Sequence, residues 1–157
     1  MGPHIDSAVK KCHGLLGILR RAADYLPREL LKLVYTSVIR SHLEYCSDTF
    51  IHSAPTHLNK LDIIQKIASR IITGFSSMTH SAPLQLQLGL DSLHVRRLNH
   101  VATLVEDILA GKSHPHFNDF FTDTDGTPVV TTSRRKLDSK RFRCFGTKIY
   151  NERKNRV

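Results

Sequence analysis

Residues 30–74 read LLKLVYTSVIRSHLEYCSDTFIHSAPTHLNKLDIIQKIASRIITG, and the spacing of their apolar residues decides the fold. Leu31, Val34, Tyr35 and Val38 recur three or four apart, as do Leu61, Ile64, Ala68 and Ile71. That recurrence lays one apolar stripe along each of two helices. Pro27 suits the first turn of the earlier helix, where its missing N–H costs nothing, and that helix is expected to run to about His42. Glu44 to Ile51 reads as a short helix or a turn. Pro55 and Thr56 open the later helix, with Thr56 the expected N-cap and Gly74 the expected stop. Gln65 and Arg70 fall on or beside its polar side and read as a solvated face, with a face presented to nucleic acid as the sharper alternative.

The pattern extends in both directions. Val9, Cys12, Leu15, Leu16 and Leu19 predict a helix over Ile5 to Ala23. Ser76 to Ser81 reads as a polar loop and Pro83 to Leu90 as a short helix. Asp91 or Ser92 caps a long helix from Leu93 to Leu109, with Leu98, Val101, Leu104, Val105 and Ile108 in register and Gly111 as its end. Lys112 to Ser133 mixes Pro, Gly, Asp and Thr without a period, which predicts a loop. Phe142, Phe145, Ile149 and Tyr150 predict a last short helix. The expected architecture is all-α: four to five helices in a small bundle, with a long loop and a basic C-terminal tail.

A chain of 157 residues with 40% apolar content and no Trp predicts one domain with an aliphatic core. No run approaches the roughly 20 apolar residues that cross a bilayer, and the N-terminus MGPHIDSAVKK lacks the apolar stretch of a secretory signal. Cys12, Cys46 and Cys144 are odd in number and far apart, fitting neither a disulfide framework nor a zinc ribbon. A reducing compartment, cytoplasm or nucleus, is expected. The net charge of +9 is unevenly placed: residues 1–127 hold 13 Lys/Arg against 12 Asp/Glu, and residues 128–157 hold 10 against 2. A near-neutral body with a basic end predicts contact with a polyanion through that end.

The opening stretch also resembles a segment found just after the catalytic palm in reverse transcriptases of non-LTR (LINE, jockey-like) retrotransposons. That family's pattern is roughly LYxSxIRPxLEYxxxxW followed by LxxIQxxAxRxIxG. The matching residues are Val34, Tyr35, Ser37, Ile39, Arg40, Leu43, Glu44 and Tyr45, then Leu61, Ile64, Gln65, Ala68, Arg70, Ile72 and Gly74. Ser41 stands where proline is usual and Phe50 where tryptophan is usual. Further on, Leu88, Gly89, Leu90, Ser92, Leu93, Arg96 and Arg97 resemble the family's LGLxSLxxRR. The segment FGTKIYNE (Phe145 to Glu152) resembles its ending, with Tyr150 and Asn151 at the tryptophan–asparagine position and the final Leu-Pro missing. The likeness covers almost the whole chain.

The resemblance implies a thumb-like helical domain over residues 1–111, a loop over 112–133 and a basic tail with a short helix over 134–157. It implies a parent RNA-directed DNA polymerase whose chemistry lies upstream. That chemistry needs two Mg²⁺ ions held by clustered carboxylates, and the chain contains no adjacent pair of aspartates. Tyr45, Cys46, Ser47 and Asp48 imitate the palm's Tyr-x-Asp-Asp box, but with one aspartate and inside the post-palm motif. The chain is therefore expected not to be an enzyme, and to need no cofactor. A Met start just before this segment suggests a truncated reading frame.

Two groups of cations are candidates for binding nucleic acid. Arg96 and Arg97 lie in the first turn of the Leu93 helix, where the macrodipole favours negative charge. That conflict points either to an ion pair with Asp62, Glu106 or Asp107 or to a phosphate contact. Arg134, Arg135, Lys136, Lys140, Arg141, Arg143 and Lys148 cluster near the end, with Phe142 and Phe145 between them to stack on bases or dock the segment. A nuclear-localisation patch and a plain solvated tail are the competing readings of the same cluster. For metals, His42 with Cys46 and His114 with His116 each lack a second pair at ligand spacing, and the calcium-loop fragment Asp123, Asp125, Gly126 fails because Phe121 and Thr132 occupy its end positions. The expected function is a palm-less reverse-transcriptase fragment that binds RNA, DNA or an RNA–DNA hybrid. A helical protein-interaction module prone to self-association, or a remnant without function, is the alternative.

Overall fold

The computed structural model describes residues 2–114, 116 and 142–155, with side chains in the last stretch from 145 onward. Most of the expected loop 112–133, and Arg134, Arg135, Lys136, Lys140 and Arg141 of the tail, lie outside the described residues. The chain is all-α, and among the described residues there is no strand. The helices are α1 (Gly2–Ala22), α2 (Arg28–Val34), a π-helical turn (Tyr35–Ile39), α3 (Arg40–Glu44), α4 (Ser47–Phe50), α5 (Pro55–Thr73), α6 (Ser81–Gln87), α7 (Leu93–Leu109) and α8 (Phe142–Lys154). They form two compact units, Met1–Val95 and Arg96–Val157, which divide inside α7.

In the first unit α1 lies along α5, and α2, the π turn and α3 pack beside them. Ile5, Cys12, Leu16 and Leu19 of α1 meet Leu61, Ile64, Ala68 and Ile72 of α5 in one core. Burial of each large apolar side chain is worth about 1.5–3 kcal/mol, so this seam holds most of the unit's stability. The third contributor is Leu31, Tyr35, Ile39 and Leu43, all buried and spaced by four. In an α-helix four residues turn through about 400°, so a stripe with that spacing drifts about 40° per step. The π turn offsets the drift: the Arg40 N–H reaches back five residues to the Tyr35 carbonyl, a looser winding. Side chains favour the loosening, because Ser37 Oγ and Thr36 Oγ1 both donate to the Leu33 carbonyl, at 2.7 and 3.0 Å, and Ser41 Oγ donates to that of Val38 at 2.7 Å. One consequence corrects the sequence stripe. Val38, expected to face inward, is 41% exposed, and Ile39 is buried in its place.

Gln65 is the second correction. It is 2% exposed, accepts the Tyr35 hydroxyl at 3.0 Å and donates Nε2 to the Asp91 carbonyl at 2.9 Å. It sits four residues after Leu61 and three before Ala68, within the buried stripe. Farther along α5, Ser69 and Thr73 are also buried, and their hydroxyls donate to the carbonyls of Gln65 and Ser69, both at 2.7 Å. At its start, Pro55 takes the first helical position with Ala54 as N-cap, so Thr56 lies inside the helix and does not cap it. At the other end Gly74, at φ 74°, closes the helix as expected. Its N–H reaches the Ile71 carbonyl and the Phe75 N–H reaches that of Arg70, the paired bonds of a Schellman motif. Of the two candidates before α7, Ser92 is the cap, its Oγ accepting the Val95 N–H at 3.2 Å.

In the second unit Val105 and Ile108 of α7 are buried among Leu104, Leu109 and Tyr150 of α8. Arg153 fastens the same pair of helices, donating to Thr103 Oγ1 at 3.1 Å and lying 3.6 Å from Glu106. The last helix expected from the sequence is thus a 13-residue element docked through Tyr150.

Two outcomes follow from the core. Gln65→Leu removes the acceptor of the Tyr35 hydroxyl and the donor to Asp91, and is expected to cost about 1–3 kcal/mol in urea denaturation, more than Tyr35→Phe. Cys12 is fully buried, its thiol facing the Ile39 carbonyl at 3.8 Å, and burial pushes it up from 9.0 to about 11. At pH 8 the reactive thiolate is therefore scarcely formed, whereas Cys46 is exposed. A brief alkylation pulse read by peptide mass mapping is expected to label Cys46 in the native protein and Cys12 only after unfolding.

Candidate functional site

The cations expected to bind nucleic acid are placed unequally. Arg97 is 2% exposed, so its guanidinium is not displayed to a polyanion. Arg96 beside it is half-buried. Lys148 is exposed on α8, 3.9 Å from Glu152. Arg143 belongs to α8, but its side chain is not among those described. The Tyr45-Cys46-Ser47-Asp48 stretch runs from the turn after α3 into the first residues of α4, with Tyr45 exposed, Cys46 in the left-handed region at φ 56° and Ser47 buried. Among the described residues no three His, Cys, Asp or Glu side chains gather where they could hold a metal ion. Nor is any described helix long and apolar enough to cross a membrane.

The structure brings together a different set of groups. Where α1 and α5 end, a cleft of about 460 Å³ opens, lined by Arg20, Asp24, Ile67, Arg70, Phe75 and Ser77 among others. Ile67 and Ile71 form its apolar floor beside Ala23, and Phe75 stands at it with half its surface exposed. Arg70 is held by one bond, Nε donating to the Thr79 carbonyl at 2.9 Å across the Ser76–Thr79 turn, which orients the rest of the guanidinium. Arg20 is exposed, and among the described residues it has no ion-pair partner.

Electrostatics at this end are not neutral. Arg20 and Arg21 occupy the last turn of α1 and Arg70 that of α5, positions that complement the partial negative charge of a helix C-terminus. Arg28 joins them, its guanidinium donating to the Thr73 carbonyl at 3.3 Å. Two helix ends supply about half a negative charge each, and Asp24 and Glu29 are the acids of the adjoining segment. Four guanidinium groups exceed that total. Farther along the same two helices, Lys60 lies 2.6 Å from Asp6, whose carboxyl is held below its ordinary value chiefly by this hydrogen bond.

The sequence did not point to the cleft, because Arg20 and Arg70 come from helices far apart in the chain and Phe75 follows a helix end. The only signals were basic residues in the last turns of two helices and an aromatic just after the capping Gly74. No protein-family model matches the chain, and neither a curated protein nor a solved structure shows significant similarity to it.

Proposed function

We propose that this chain is a helical nucleic-acid-binding module, derived from the thumb-like, post-palm region of a non-LTR retrotransposon reverse transcriptase and lacking the catalytic palm. The observation that carries the binding is the charge distribution: residues 128–157 hold 10 Lys/Arg against 2 Asp/Glu beside a nearly balanced remainder. Such a segment releases condensed counterions from RNA, DNA or an RNA–DNA hybrid whatever its sequence. The kinship rests on the order and spacing of the motif residues. Their roles in the fold support it, since Tyr35, Ile39, Leu43, Leu61, Ile64, Gln65, Ala68 and Ile72 are all buried and Gly74 ends α5. The remaining motif residues, among them Ser37 and Tyr45, are exposed or half-buried, so the buried positions support the kinship as a shared fold pattern.

A second reading has its own observation. Tyr25, Leu33, Met78 and Leu86 are 87%, 60%, 90% and 82% exposed, apolar side chains that a partner protein would cover. A dimer that persists in sedimentation at high salt would favour that reading.

Truncation ahead of α8 would strip Tyr150 from the Val105–Ile108 cluster, so charge substitution is the cleaner probe. With Arg134, Arg135, Lys136, Lys140 and Arg141 all changed to Ala, fluorescence anisotropy on a labelled single strand should show the log–log salt dependence shallower by up to about 3.5, at about 0.7 per phosphate contact. An unchanged slope and affinity would remove the tail from the interface.

A further inference from the structure

We infer that the cleft between the ends of α1 and α5 is a binding site for one unstacked nucleotide of a single-stranded nucleic acid. In this assignment the base lies on Phe75, and the flanking phosphates face Arg20 and Arg70. The inference deepens the nucleic-acid reading above but uses a separate set of residues, in the first unit of the fold.

Three observations meet there. The volume, about 460 Å³, falls within the roughly 300–1,000 Å³ of small-ligand sites, which suits a nucleotide. The chemistry is divided as a nucleotide is divided. Ile67, Ile71 and the exposed face of Phe75 offer an apolar platform, while Arg20 and Arg70 offer charge at the same opening. Base–aromatic stacking is tolerant of sequence, because every base has a π-face. Guanidinium groups pair with phosphate oxygens through parallel N–H donors. Arg70 is oriented in advance by its bond to the Thr79 carbonyl, which lowers the entropy lost on binding. Finally, the surplus of guanidinium charge at this end, with Arg21 and Arg28 adding to the two lining arginines, exceeds what the helix ends and nearby acids offset. A polyanion is the complementary partner. Asp24 also lines the cleft and offsets part of its positive charge.

The chain contains no Trp, so Phe75→Trp places a single indole reporter in the cleft of the full chain. Phe75 is about half-exposed, and the change keeps an aromatic face, so the fold is expected to persist. Circular dichroism checks this for each variant. Oligo(dT) is expected to quench the indole fluorescence of the Phe75→Trp variant saturably, whereas a blunt duplex of equal length is not. Phe75→Ala and Arg20→Glu are each expected to weaken oligo(dT) binding by about tenfold in anisotropy, with little effect on the duplex. Binding that is unchanged in both cleft variants but lost in the tail variant overturns the cleft and leaves the tail reading standing. Binding lost in the cleft variants but kept in the tail variant upholds the cleft and overturns the tail reading. Quenching by duplex as strong as by oligo(dT) overturns the single-strand assignment, and no binding by the wild type at low salt overturns both.

Discussion

The hydrogen bonds at Gln65 are the constraint on which the first unit's arrangement depends. One amide joins three segments that are distant in sequence: the π turn through the Tyr35 hydroxyl, α5 through its own backbone, and the start of α7 through the Asp91 carbonyl. Each such bond adds only about 0.5–1.5 kcal/mol net, yet leaving its partners buried and unmade costs about 1–3 kcal/mol. The value of the link therefore lies in what it forbids. A slip of one residue in the α2–α3 helix would bring Val34 or Thr36 to the place of Tyr35, and neither can reach the amide with a phenol. The π turn is the backbone's answer to the same demand, since it holds Tyr35 and Ile39 on the buried side where a straight helix would carry the stripe away.

The helices themselves were legible because burial follows period. The α1 and α5 stripes, the Gly74 stop and the all-α class all come from residues whose effect is local or repeats every turn. What escaped depends on competition between local and tertiary forces. Val38 fits a 3.6-residue stripe, but the Ser37, Thr36 and Ser41 hydroxyls occupy carbonyls and loosen the turn, so burial passes to Ile39. Gln65 stands squarely in the stripe of α5, yet its polarity argued for solvent, and only the arrival of Tyr35 and Asp91 makes its burial cheap. Thr56 has the side chain of a cap, but Pro55 already fixes the first helical φ and moves the cap two residues earlier, to Ala54.

The site was less legible than the fold for a related reason. Counting charge along the chain makes residues 1–127 balanced, 13 against 12, and sends attention to the basic end. Folding redistributes those charges in space. Asp6 and Lys60 neutralise each other, Arg97 goes inside, and Arg20, Arg21, Arg28 and Arg70 collect where two helices stop. A helix end attracts basic residues for reasons of its own stability, so one such end says little. Two ends brought side by side, with an aromatic left exposed between them, say more, and only the packing of α1 on α5 brings them together.

On the proposed nucleic-acid reading, the two basic regions differ in what they can distinguish. Phosphate contacts made by Lys and Arg bind any strand with nearly equal strength, and their affinity follows salt more than structure. Stacking on Phe75 requires a base whose face is free. In a duplex that face is already stacked, and extracting a base costs a few kcal/mol, while one aromatic platform returns about 1–3 kcal/mol. The exchange does not favour opening a duplex, but it rewards a strand that is already single. On that reading, affinity from the basic end and strand preference from the helical body would be separable properties, because the first is set by charge number and the second by a surface that exists only when α1 and α5 end together.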